Sequence, residues 1–485
     1  MNHDVIYYFG LSLVLVAIIG VIVFLYRLNI IKKTLDLKGI LKKYLVFIIG
    51  IPLIFLIGFI LLNVAFFIDE ATINNMNLHN IVLDGGHLTL TYLFGTLFTI
   101  FLFTSIYGVY LTYFTPNINE KLKKISKITY ISAIVLGVVS FICYTEGIAP
   151  YLVYPLANTL HIGEKGIVLL RNPSADGLNI ALYAVFILSG ALLVLLICNH
   201  LAYKYYGEHG LLYTCFFIAF PCGVIGARLW YVILDISNKG SMSQYVQDWT
   251  KIFDIRQGGL GIMGGAILGI IGGVTTMLIL KYALKRKPYT KMNYLFVADF
   301  IVPAILVAQA IGRWGNFFNN EVNGYPISVE YFAFLPTFVK NQMMYADHGS
   351  SSLQPGMIYL PLFFIEFCTN LIGYFVLYYG FGRKYFSKWF IKFTNLFIKD
   401  KDKKLINVDS YHADGTLVGG YLVWYGVTRA ILEPLRTGSD YFKSSEITSY
   451  VMIGGGILII IFFILFKALY LDRKPLKEVD VQKDE

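Results

Sequence analysis

The sequence predicts an all-α polytopic membrane protein with about eleven transmembrane helices. The N-terminus is expected outside and the C-terminus in the cytoplasm, with an extracellular arm between the eighth and ninth helices. Two observations carry this reading. Of 485 residues, 57% are hydrophobic and only 14% are charged, against roughly 25% charged in soluble domains. The charges are also gathered: long stretches without Lys, Arg, Asp or Glu alternate with short segments crowded with cations. The formal charge of +10 therefore belongs beside membrane spans, where anionic headgroups attract it, and gives no ground for a nucleic acid partner.

A spanning helix needs about 20 mostly apolar residues. Windows of that kind run from Ile6 to Tyr26, Leu45 to Ile68, Leu88 to Phe114 and Ile128 to Cys143. Seven more run from Ile180 to Cys198, Leu211 to Leu234, Gly258 to Leu280, Phe296 to Ile311, Ile358 to Tyr379, Thr416 to Leu432 and Ile447 to Tyr470. The first window has no preceding basic residue and no small-residue cleavage motif, so it is expected to be retained as a span. The five cysteines lie in apolar runs without CxxC or metal-ligand spacing, and no disulfide or metal site is expected from them.

Orientation follows the cations. Arg27 to Lys43, Lys121 to Lys127, Lys281 to Lys291, Arg383 to Lys404 and the tail from Arg473 form one set of loops, expected to be cytoplasmic. Asp69 to His87 has no Lys or Arg, and Asn320 to Met357 has only Lys340. The latter segment is too long for an ordinary connector and reads as a structured arm or lid. The stretch from Thr145 to Asn179 is the expected domain boundary. It leaves residues 1–150 as a four-helix region of unknown role, 151–472 as a seven-helix core and 473–485 as a charged cytoplasmic tail. No repeat relates the two halves, which speaks against a transporter built on inverted repeats.

Charged side chains within a span are costly and by default mark function or pairing. Here they are Arg228, Asp299, Arg313, Glu366, Arg429 and Glu433, with Arg436 and Glu321 at span ends, all in the last seven spans. Arg228, Arg313, Glu366 and Arg429 are expected in one layer in the outer half of the membrane. Asp299 stands fourteen residues before Arg313, about 21 Å away along a helix and out of direct reach. Arg429, Glu433 and Arg436 at i, i+4 and i+7 share one helix face. Two readings follow: a ladder that neutralises itself, or an arginine-rich layer awaiting an anion, for which planar guanidinium groups suit phosphate oxygens.

The run from Gly312 through Arg313, Trp314, Gly315, Asn316, Phe317, Phe318, Asn319 and Asn320 to Glu321 combines glycines, amides and both signs of charge at that depth. Glycines permit close backbone approach and Asn side chains supply donors and acceptors, though a polar helix end would look similar. The glycines at 258, 259, 261, 264 and 265 fit either a ligand or close helix packing.

At these residues the chain resembles the prolipoprotein diacylglyceryl transferases. The run from Gly312 to Glu321, followed by Gly324, is similar to that family's signature. Gly415, Gly420, Tyr425, Gly426, Arg429, Glu433 and Arg436 are similar to its second arginine block, and Tyr183 with Gly190 to its first-helix pattern. Asp299, Gly226, Arg228 and Tyr231 fall where the family has such residues. The resemblance covers about Asn179 to Tyr470. There are departures: Met263 stands where the family commonly has His or Tyr, and Leu360-Pro361 and Phe364-Ile365-Glu366 keep only the proline and glutamate of the family's pattern. The four leading spans are not part of it.

The resemblance implies transfer of a diacylglyceryl group from phosphatidylglycerol to the lipobox cysteine of exported prolipoproteins, releasing glycerol phosphate, at the outer leaflet of a bacterial plasma membrane. It implies Arg313, Arg429 and Glu433 as catalytic residues. Arg313, Asn316, Asn319, Glu321, Gly324, Tyr183, Arg436 and Gly264 are the expected substrate-binding residues. Neither cofactor nor metal is expected; the partners are phosphatidylglycerol, prolipoprotein signal peptides and membrane lipids. The competing expectation is a non-catalytic or transport protein that holds an anionic lipid or solute at the same arginines.

Overall fold

The computed structural model describes residues 13, 17, 50–51, 53–55, 57–58, 85–114, 120–149, 152, 154–163, 166–171, 178–208, 210–253, 261–287, 289–345, 353–384, 414–437 and 443–466. The expected span from Ile6 to Tyr26 and most of that from Leu45 to Ile68 lie outside the described residues. So do the basic loop Arg27 to Lys43, the segment 385–404, the tail, and Arg256, Gly258, Gly259 and Gly349. Each of the other nine windows holds a helix, and seven helices among the described residues are long and apolar enough to cross a membrane. The protein is a mostly helical, multi-pass membrane protein.

The chain divides into two compact units, one of residues 1–156 with 328–342 and one of residues 157–327 with 343–485. In the first, α1 (Gly85–Phe114) and α2 (Glu120–Ile148) pack together. Small and hydroxyl-bearing residues let them approach: a Cβ on Gly108 would lie 2.5 Å from the Cβ of Tyr130. The Ser126 hydroxyl accepts from Thr112 Oγ1 and donates to Gly108 O, both at 3.0 Å. Such contacts choose partners in lipid, where apolar surface alone does not. The arm supplies α7 (Thr337–Gln342) to this unit.

The second unit opens with three short strands that hydropathy did not predict. β1 (Thr159–Gly163) lies between β2 (Gly166–Leu170) and β3 (Leu178–Ala181), antiparallel to both. β3 runs straight into α3 (Leu182–Tyr206), and Leu182 N donates to Asn158 O at 2.8 Å. The sheet thereby fixes the first turn of α3, which carries Tyr183. α4 (Tyr213–Lys239) packs on α5 (Ile262–Leu278), which continues as a π-helix over Ile279–Ala283. α6 (Tyr294–Asn319) packs on α3, where a Cβ on Gly190 would meet Ala308 O at 2.9 Å.

The arm contains β4 (Pro326–Ser328), which pairs with β5 (Met357–Tyr359). It leads into α8 (Leu362–Tyr374), prolonged as a π-helix over Phe375–Lys384. α9 (Thr416–Leu432) and α10 (Lys443–Phe466) meet through glycine: a Cβ on Gly419 would lie 2.6 Å from Gly456 O, and one on Gly426 2.8 Å from Ser449 O. Large apolar side chains of α10, among them Val451, Leu458 and Phe462, are exposed, as lipid-facing residues are.

Asp299 proves to hold a helix in place. Its Oδ2 accepts from Gly415 N at 2.7 Å and its Oδ1 from Leu417 N at 2.9 Å. A carboxylate there satisfies donors that every helix start leaves unpaired and complements the positive end of the helix dipole. Gly415 takes φ 98°, a conformation that favours glycine. Asp299→Ala is expected to cost about 1.5–3 kcal/mol, the range for hydrogen bonds to a charged group, and Asp299→Asn less. Thermal unfolding in detergent checks this, and an Asp299→Ala protein as stable as the parent would remove the capping role.

Candidate active site

Three helices bring the site together. α6 carries the glycine-and-asparagine run in its last turns and stops where Asn320 turns left-handed at φ 56°, ψ 43°, a conformation that a short amide tolerates. A Cβ on Gly315 would fall 2.7 Å from Tyr183 Cδ2 and 3.0 Å from its Cα, so only glycine admits the first turn of α3 there. Gly312 meets no such crowding: its nearest neighbour would be Ile187 Cγ1 at 4.0 Å.

The charges converge on α8. Arg313 Nε lies 2.6 Å from Glu366 Oε2, while Arg436 Nη2 lies 2.8 Å and Arg429 Nη1 3.8 Å from Glu366 Oε1. Glu433 supplies the second carboxylate, its Oε2 being 2.8 Å from Arg429 Nη2 and 3.3 Å from Arg436 Nε. Among the described residues, these three guanidinium groups thus share two carboxylates at ion-pair distance. Glu366 and Glu433 keep only 4% and 0% of their side-chain surface exposed, against 15% for Arg313 and 16% for Arg429. The carboxylates are the most deeply buried part of the cluster, and Arg313 and Arg429 keep the most exposed surface.

A chain of amide hydrogen bonds runs from Arg313 to the turn. Arg313 Nη1 donates to Asn316 Oδ1 at 3.3 Å, Asn316 Nδ2 to Glu321 Oε2 at 3.3 Å, and Asn319 Nδ2 to Glu321 Oε1 at 3.1 Å. Gly324 N donates to Leu360 O at 3.1 Å, and Gly324 also forms a β-bridge with Arg436. A Cβ on Gly324 would meet that of Leu360 at 2.6 Å. Its lack of a side chain is what lets the chain before the arm, the chain after it and the segment beyond α9 meet. Tyr183 and Tyr425 stand within electrostatic reach of Arg313. One layer deeper, Gln309 Nε2 donates to the hydroxyl of Tyr421 at 2.9 Å, and the Tyr421 and Tyr425 rings stack.

Three expectations change. Arg228 does not join the cluster: its Nε donates to Ile252 O at 2.9 Å and its Nη2 to Lys251 O at 2.6 Å, with the group 5.2 Å from the Tyr245 ring centre. It fastens the loop after α4. Arg436 does not share a helix face with Arg429, because α9 ends at Leu432 and Pro434 cannot continue the ladder. With extended backbone at φ −76°, ψ 148°, Arg436 still turns back onto Glu433. Gly264 is buried against Gly226 and Trp230, and Gly223 and Gly265 meet in the same seam, which is helix packing between α4 and α5. Met263, at the start of α5, is half exposed.

Two residues gain in importance. Glu366 was legible only as one more intramembrane charge, yet all three arginines meet at it. Arg171 gave no sequence signal. From the end of β2 its Nη1 and Nη2 donate to Phe318 O and Asn319 O, each at 3.3 Å, closing the carbonyl end of α6 beside Asn319. Among the described residues no three His, Cys, Asp or Glu side chains gather as a metal site would require.

Fold and site define a multi-pass membrane protein with a buried cluster of arginines and glutamates. Residues 174–462 match the family model described as prolipoprotein diacylglyceryl transferase. Proteins named phosphatidylglycerol–prolipoprotein diacylglyceryl transferase from Streptococcus pyogenes serotype M5 (strain Manfredo) and serotype M1 are 31% identical to this chain. In each case the match spans 269 residues, 56% of this chain and 84% of the relative. The chain belongs to the prolipoprotein diacylglyceryl transferase family and is a transferase. Arg171 lies just ahead of the matched residues.

Removing the shared carboxylate tests the arrangement. Glu366→Gln keeps the shape but leaves three guanidinium groups facing one carboxylate. Breaking buried pairs of this kind costs about 3–5 kcal/mol. Thermal unfolding should register that loss, and an unchanged transition would show that the cluster does not depend on Glu366.

Proposed function

We propose that the protein transfers the diacylglyceryl group of phosphatidylglycerol to the lipobox cysteine thiol of an exported prolipoprotein, releasing glycerol phosphate at the outer leaflet of a bacterial plasma membrane. The topology that goes with it is eleven spans with the N-terminus outside, the C-terminus cytoplasmic and the arm extracytoplasmic. The observation that supports the reading is the convergence of Arg313, Arg429 and Arg436 on Glu366 and Glu433, with Arg313 and Arg429 the more exposed. A family of transferases gives no support to the alternative of a static anion site or a transporter.

The chemistry is a displacement at carbon. The substrate thiolate forms a C–S bond to the glycerol carbon that bears the phosphate ester. The C–O bond to phosphate breaks, and its electron pair leaves with glycerol phosphate, so a phosphodiester with one negative charge becomes a monoester gathering a second. Arg313 and Arg429 face that developing charge, and donors placed so typically supply about 2.7–4 kcal/mol each. Glu433 and Arg436 hold Arg429 in position. Asn316, Asn319 and Glu321 present donors and acceptors for headgroup hydroxyls. The nucleophile belongs to the substrate, so no cysteine of this chain takes part.

Incubating the purified full chain with phosphatidylglycerol vesicles and a lipobox peptide should add one diacylglyceryl mass to the peptide cysteine. No mass gain under any condition would sink the reading. Arg313→Lys and Arg429→Lys keep the charge and lose the planar fork, and each is expected to lower kcat at least about a hundredfold. Full turnover in either variant would take that arginine out of the mechanism.

Met263 binds no proton, so a base at this position is not required if the thiol ionises by itself. An unperturbed thiol has a pKa of about 8.5, and a nearby guanidinium lowers it. The rate should therefore rise as pH climbs from 6 toward the thiol's pKa, and Met263→His should change it only modestly. A native chain that is inert, with activity appearing only in Met263→His, would defeat this account.

A further inference from the structure

The leading membrane region is not covered by the family match, which begins at residue 174, yet it forms one compact unit with part of the arm, residues 328–342. The contacts are specific. Thr337 N, at the start of α7, donates to Glu146 Oε1 at the end of α2 at 2.6 Å. Gln342, the last residue of α7, has no exposed surface, and its Oε1 accepts from Leu156 N at 2.7 Å. Between them the Asn341 side chain is hydrogen-bonded to the Tyr154 hydroxyl, which donates to Ala149 O at 3.2 Å. Burial pushes the Tyr154 phenol well above its usual pKa, so it stays a donor. Leu335, Phe338 and Val339 are buried in the same unit, as is Ala149.

A buried glutamine whose side chain satisfies a backbone amide 186 residues away marks a specified seat. Buried polar groups left unpaired are costly, so the pairing defines one register for the arm. The arm is joined at both ends to the site: Glu321 and Gly324 precede it, while Leu360 and Glu366 follow it.

We propose that the end of α2 and the turn after it, from Glu146 to Leu156, form a docking surface whose occupant is the chain's own segment Ser328–Gln342, and that the leading region serves to anchor the arm. Anchoring the middle of the arm restricts the chain on either side of it, which runs back to Glu321 and on to Glu366. The consequence for catalysis rests on the transferase reading above. A chain beginning near Tyr151 keeps every site residue and loses the seat, so the leading region is not separable from the reaction.

The test uses the full chain with Glu146→Ala and Gln342→Ala combined, neither being a residue of the arginine cluster. Hydrogen exchange over residues 335–342 should quicken at least about tenfold, as expected when one or two buried hydrogen bonds are lost. Unchanged exchange would overturn the docking surface. With phosphatidylglycerol and the lipobox peptide, KM for the peptide should rise several-fold while kcat stays within about twofold, and Glu146→Gln, which keeps an acceptor for Thr337, should restore most of the loss. Faster exchange with unaltered KM and kcat would overturn the catalytic role of the anchor. A parent chain that transfers nothing would sink the transferase reading, and the exchange comparison would still decide the docking surface.

Discussion

One carboxylate in a membrane-spanning helix governs the arrangement. Glu366 lies at ion-pair distance from Arg313, Arg429 and Arg436, which belong to α6, α9 and the segment after α9. Apolar contacts cannot single out one helix partner within a bilayer, because lipid tails are as apolar as leucine. A buried charge can, since a guanidinium or carboxylate left alone there costs several kcal/mol. The cluster therefore specifies which helices meet.

Other constraints put those helices within reach of one another. Asp299 fixes the start of α9 near the start of α6. From Leu417 to Arg429 is twelve residues, about 18 Å of helix, and from Asp299 to Arg313 is fourteen, about 21 Å. Two helices pinned at one end thus deliver their arginines to similar depth at the other. Gly315 admits Tyr183, and Gly324 admits Leu360 and Arg436, so the residues with the least chemistry of their own decide how close the charged ones come.

Hydropathy placed a helix in each of nine windows, because a span must satisfy its backbone internally, but α3 and α6 each run eight residues past the window, to Tyr206 and Asn319. It said nothing of β1 to β3: short strands outside the membrane carry no length requirement, and their pairing is set by partners that spacing does not name. Intramembrane charge singled out Arg313, Glu366, Arg429 and Glu433, which the structure brings together in one cluster. The same rule swept in Arg228, whose partners are the carbonyls of Lys251 and Ile252, and a rule about cost cannot tell a ligand site from a loop clamp. Helical spacing put Arg436 beside Glu433, and the contact exists, but Pro434 changes the backbone that makes it. Arg171 and the seat of the arm were illegible, since both consist of side chains meeting backbone groups more than 140 residues away.

The charge of the cluster also bears on how a reaction without a base at position 263 closes its proton balance. In the proposed reaction a phosphodiester with one negative charge meets Arg313 and Arg429, whose charge Glu366 and Glu433 already offset in part. As the C–O bond opens, the leaving phosphate gathers a second charge, and only then do Arg313 and Arg429 face more charge than they balance in the bound state. That difference is what lowers a barrier, since interactions equally strong before and during the reaction do not. A thiol proton released to solvent has no need of a resident acceptor, because the product monoester, with a second pKa of about 6, remains ionised at neutral pH and leaves as a dianion. Arginine, which stays protonated throughout, is the residue type able to do this at every pH at which the thiol ionises.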